Sequence, residues 1–123
     1  MVIVLVKWKI KPGLEESFLK HWQQHLTVRD DLDLVGEFLC TPKSREYATW
    51  RLPDPGDPPC AIFLNVGIWR SESAFLEQIA PYFSDDAEPL HFEANRRVRT
   101  VLSANACRIG QARLPSDNSD GVV

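Results

Sequence analysis

His21 and His25 stand four residues apart, the spacing that lets two imidazoles on one helix face share a metal ion. Trp22 occupies the place where a zinc protease would carry glutamate, and His91 is the single other histidine that could serve as a third ligand. The commoner reading is preferred, two polar residues flanking an apolar helical stripe, and no metal is expected. Arg96, Arg97 and Arg99 cluster late in the chain, and guanidinium groups pair well with carboxylates, so holding an anionic substrate group is one use for them. Basic residues on a half-buried strand usually point to water, which makes surface charge or ion pairs between subunits the other use. Cys40, Cys60 and Cys107 are far apart, odd in number and without a C-x-x-C pair, and they read as reduced thiols. No glycine-rich phosphate loop, G-x-S-x-G elbow or evident Cys-His or Ser-His-Asp set is present, so nucleotide binding and nucleophilic catalysis have no local support.

Whatever chemistry the chain performs must be positioned by a single core. Its 123 residues, 44% hydrophobic and 25% charged, suffice for one domain, expected over residues 1–114 with a polar tail at 115–123. A formal charge of −3, from 17 acidic and 14 basic residues, gives no general attraction to a nucleic-acid backbone or an anionic membrane. The longest apolar run, Met1 to Val6, is far short of the roughly 20 residues that cross a bilayer, and no charged segment precedes it as in a signal peptide. A soluble, cytoplasmic protein is expected.

Residues 2–11 alternate, with Val2, Val4, Val6, Trp8 and Ile10 on one side, and form a first strand that Pro12-Gly13 ends. Leu14, Phe18, Leu19, Trp22 and Leu26 then recur at helical spacing, and Glu15 and Glu16 suit a helix start, so a helix runs to about Val28. A second strand covers 34–41, and Glu46 to Leu52 has the composition to extend its hairpin. Four of the nine prolines fall in 51–59, which must be a loop. Its tip, Asp54 to Pro59, offers no evident anchoring side chain, so it and the residues after Leu114 are expected to be the most mobile parts. Residues 61–69 form the clearest strand, apolar or large on both faces. Ser71 caps a second helix whose inward stripe is Ala74, Phe75, Gln78 and Ile79, and Pro81 kinks or stops it. Residues 89–102 read either as a helix or as a turn leading to a strand over 97–102. The strand is preferred because it closes a βαββαβ order with right-handed crossovers.

Two helices cover one face of a four-stranded sheet, and the apolar second face needs a cover of its own. A second copy related by a two-fold axis is the simplest, giving a homodimeric α+β barrel; the alternative is that residues 104–114 fold back over their own sheet.

The string Ala61-Ile-Phe-Leu-Asn-Val-Gly-Ile-Trp-Arg-Ser-Glu-Ser-Ala-Phe75, a strand turning directly into a Ser-Glu-started helix, resembles the antibiotic biosynthesis monooxygenase-like family. The strand, Lys-Pro-Gly and helix of the opening segment, the closing Arg-rich strand and Cys107-Arg-Ile-Gly110 extend the likeness to residues 2–110. The resemblance implies a ferredoxin-like α+β fold, an antiparallel sheet with helices on one face, assembled as a dimeric barrel. Members include cofactor-independent oxygenases of aromatic polyketides and haem-degrading enzymes. Asn65 and Trp69 match the asparagine and tryptophan that sit beside substrate in the former and are the catalytic candidates, with Phe75, Trp22 and Arg97 as substrate contacts. An asparagine amide suits a developing oxyanion and an indole offers a flat face; four residues apart on a strand, they would bracket a ligand over roughly 13 Å. Phe75 stands where those oxygenases have a tyrosine, so no proton-exchanging group is matched there. The haem-degrading members use an asparagine on the first strand and a histidine on the second helix; neither has a counterpart here. The implied function is a monooxygenase without cofactor acting on a small electron-rich aromatic. A non-catalytic barrel that binds a hydrophobic molecule or regulates is the alternative.

Overall fold

The computed structural model describes residues 1–26, 32–43, 53–79 and 88–114. The elements run β1 (Val2–Ile10), α1 (Glu15–His25), β2 (Leu34–Cys40), β3 (Ala61–Trp69), α2 (Glu72–Ile79) and β4 (Glu93–Ser103), the βαββαβ order read from the sequence. All pairings are antiparallel and the strand order is β2-β3-β1-β4. The expected extension at Glu46 to Leu52, the helix end at Val28, the break at Pro81 and the tail lie outside the described residues.

Alternation in β1 sends Val2, Val4, Val6, Trp8 and Ile10 to the helix-covered face, where all are buried. Phe18 of α1, fully buried, meets Trp8, Phe63 and Phe92 at ring-centroid distances of 5.0, 4.9 and 5.6 Å. A ring at such a centre is worth about 3 to 5 kcal/mol. The side-chain oxygen of Ser71 accepts the Ala74 N–H at 3.2 Å, the expected cap of α2, and Ala74 and Phe75 are its buried residues.

β4 begins four residues before its expected start at Arg97, because Asn95 and Glu93 keep pairing with Lys9 and Ile10 through two register shifts. The polar run that hid this stretch has partners: Arg97 Nη2 lies 2.6 Å from Glu93 Oε1 in an ion pair, and Asn95 Nδ2 donates to Asp57 Oδ1 at 2.8 Å.

Contrary to expectation, the proline-rich tip does have anchoring side chains. Lys9 Nζ lies 2.7 Å from Asp54 Oδ2 and 3.0 Å from Asp57 Oδ2, and Lys7 Nζ lies 3.0 Å from Asp54 Oδ1. The Asp57 carboxylate also accepts the Asp54 N–H at 2.7 Å, closing a tight turn that Gly56 completes at φ 87°. Lys9 and Asp57 are buried by this strap. Burial disfavours charge on Lys9, and the hydrogen bonds it donates to Asp54 and Asp57 outweigh that, raising its pKa. The same contacts, Lys9 first for Asp54 and Asn95 first for Asp57, hold both carboxylates below their usual range.

The second sheet face carries rows of apolar side chains in register, Leu102–Ile3–Ile68 and Leu5–Val66–Phe38, half-buried or exposed. Residues 104–114 leave this face uncovered: Ile109 is 87% and Leu114 68% exposed, which removes the fold-back alternative. No helix among the described residues is long and apolar enough to cross a membrane.

Candidate functional site

A cleft between the sheet and the two helices holds about 590 Å³ of space, solvent at its mouth included. All five residues singled out from the sequence, Asn65, Trp69, Phe75, Trp22 and Arg97, line it. They come from β3, α1, α2 and β4, so the cleft exists only in the assembled fold.

Asn65 is 8% exposed at its floor. Trp22 Nε1 donates to Asn65 Oδ1 at 3.1 Å, and Asn65 Nδ2 donates to Glu37 Oε1 at 2.9 Å. An indole N–H can only donate, so it fixes which side of the amide is oxygen and aims the NH2 at Glu37. Burial raises the Glu37 pKa, and the Asn65 hydrogen bond opposes that shift only in part.

Trp69 is 2% exposed and packs edge-on against Phe75 with centroids 5.8 Å apart. Its indole lies back along the strand above Gly67, where an added Cβ would fall 3.1 Å from Trp69 Nε1. Glycine at 67 is thus what lets the indole lie over this part of the strand.

On β4, the Arg97 guanidinium stacks over Trp8, 4.3 Å from the ring centroid, and pairs with buried Glu93. Glu93 is nonetheless raised in pKa by burial, with Arg97 pulling it back. Arg99 lines the same wall, its pKa lowered by burial and by the neighbouring charge of Arg97. Arg96, the third arginine of the cluster, is exposed and does not line the cleft. His21 and His25 have ring centroids 5.2 Å apart, and among the described residues no three His, Cys, Asp or Glu side chains are grouped to hold a metal.

The sequence reading missed Glu37. It shares a strand face with Leu39, which packs against the core, so an acid stands in an inward register. Alternation alone did not tell which face of residues 34–40 was inward.

Neither the known family profiles nor the curated protein sequences give a match. Solved structures do. A point variant of MhuD, crystallised with two manganese protoporphyrin IX molecules per active site, superposes with a TM-score of 0.55 at 16% identity, covering 89% of this chain and 100% of that one. A Bacillus cereus protein provisionally described as an antibiotic biosynthesis monooxygenase gives 0.52 at 12% identity, covering 91% and 98%. At these identities the likeness shows the fold, and that fold is the ferredoxin-like α+β fold of antibiotic biosynthesis monooxygenase-like proteins.

Proposed function

We propose that the protein is a monooxygenase of a small electron-rich aromatic, working without a cofactor as a cytoplasmic homodimer, with this cleft as its active site. The observation that carries the reading is the Asn65 amide, oriented by Trp22 and Glu37 in a cleft walled by indoles and faced by arginines. An anthrone illustrates the chemistry. Loss of a proton gives an electron-rich anion able to reduce dioxygen; the ring CH2 becomes a carbonyl, with one oxygen atom retained and the other leaving as water. The protein need only hold the ring, stabilise the oxyanion and exclude bulk water. Trp22, Trp69 and Phe75 supply ring faces, the second N–H of Asn65 supplies a donor, and Arg97 and Arg99 favour negative charge.

The porphyrin bound by MhuD raises haem as another ligand. Haem iron is held by histidine, cysteine, methionine or tyrosine, and none of the described residues lining the cleft is one of these. The residues present do not fit an axially ligated haem.

The second reading, a barrel that binds a hydrophobic molecule without turnover, is favoured by the depth at which Trp69 is packed and by the internal partners of Asn65. Oxygen uptake with a panel of anthrones and quinols decides. Consumption above autoxidation that saturates with substrate supports the monooxygenase, and its absence across the panel leaves the binding protein.

A further inference from the structure

Glu37 is the only carboxylate among the described residues that line the cleft. The hydrogen bonds from Trp22 to Asn65 and from Asn65 to Glu37 all point one way and end on Glu37 Oε1. A carboxylate has about four acceptor sites, and among the described residues Asn65 occupies one. Glu37 lines the cleft, so the rest of that capacity is available to a ligand there.

The sheet sets the opposite wall. Glu37 pairs with Gly67, Gly67 with Val4 and Val4 with Val101, two residues from Arg99. The acid on β2 therefore faces the arginines of β4 across three inter-strand steps, about 14 Å between backbones, over an apolar floor. A planar ring system lying on that floor would bring one edge to a base and the other to positive charge.

We propose that Glu37 recognises a hydroxyl group on an aromatic ligand, accepting its hydrogen bond and, in turnover, its proton. The inference deepens the monooxygenase reading and rests on it for the turnover step alone. In that step the aryl O–H bond breaks, an O–H bond forms on the Glu37 carboxylate, and the electron pair stays on the aryl oxygen; nothing is oxidised or reduced. Burial strengthens Glu37 as a base, and Arg97 and Arg99 offset the charge left on the aryl oxygen. This supplies the proton-exchanging group that Phe75 does not. The cleft-lining groups at the helices, Trp22 on α1, Leu26 at the C-cap of α1, and Phe75 and Ile79 on α2, do not titrate, so acid should weaken hydroxyl recognition through Glu37 itself.

The test compares naphthol with its methyl ether, which keeps the rings and lacks the donor, by titration calorimetry near neutral pH. Wild type should bind naphthol about 10- to 100-fold more tightly than the ether. The ratio should fall to near one in Glu37→Ala and to an intermediate value in Glu37→Gln, whose amide oxygen still accepts from Asn65. A wild-type ratio near one, no binding of naphthol, or an undiminished ratio in the variants overturns the proposal. If Glu37→Ala does not fold, Glu37→Gln alone decides. Oxygen uptake with an anthrone separates the two claims: hydroxyl discrimination without uptake keeps Glu37 and removes the oxygenase, whereas full uptake by Glu37→Ala keeps the oxygenase and removes Glu37.

Discussion

The Trp22 indole, on α1, donates to Asn65 Oδ1, on β3, at 3.1 Å across 43 residues of chain. The bond ties helix to sheet and sets the polarity of the amide below it. A residue recognised by its likeness to a substrate-binding asparagine is thus also a structural junction, and the two roles can be separated by substitution.

Asn65→Ala strips partners from both the Trp22 N–H and the Glu37 carboxylate. The expected cost is about 1 to 3 kcal/mol of stability, with oxygen uptake reduced on the order of a hundredfold. Trp22→Phe keeps a ring but frees the amide to flip, and should cost about 1 kcal/mol while weakening naphthol binding. Thermal melts alongside calorimetry check both. If Asn65→Ala melts like wild type, the amide is not the junction described.

Glu37 gives a pH signature in stability. Its pKa is raised above 4.5 in the folded protein, so below 4.5 both states are protonated and burial carries no penalty. As pH rises through the folded value, the buried charge destabilises the fold. Glu37→Gln should therefore melt higher than wild type at neutral pH, with the gap closing as the pH falls below 4.5. A gap that persists or widens in acid would contradict the sign.

The strap of Asp54 and Asp57 on Lys9 behaves in the opposite sense. Both carboxylates have depressed pKa values, so their contribution is complete above 3.8 and is lost as pH falls through the folded values. Amide exchange at residues 54–60 is expected to accelerate in that acidic range before exchange in β1 and β3 does. Lys9→Met should produce the same local opening at neutral pH. Unchanged protection in that variant would mean the ion pairs do not hold the loop.

The uncovered rows Leu102–Ile3–Ile68 and Leu5–Val66–Phe38 predict a homodimer with these faces together. Sedimentation at micromolar concentration should give twice the 14.0 kDa of the chain, and Val66→Asp should return the single-chain mass. A wild-type protein that sediments as one chain would remove the dimer.

Alternation in residues 2–10 and 61–69, the Ser71 cap and the helical stripe through Phe18 determine β1, β3, α2 and α1 by themselves, because strand and helix periods are local properties of the chain. The likeness around Asn65 and Trp69 likewise marked the strand that floors the cleft. Three features were settled only by tertiary structure. Asp54 and Asp57 look like solvated loop charges until chain closure sets them against Lys9, about 50 residues away in sequence order. Residues 93–96 look too polar for a strand until Arg97 and Asp57 satisfy Glu93 and Asn95. Glu37 looks like an ordinary strand acid until β2 pairs with β3 and turns that register inward beside Asn65. Apart from the Glu93–Arg97 pair, each depends on a partner distant in the chain, and no local pattern encodes which partner a fold will bring.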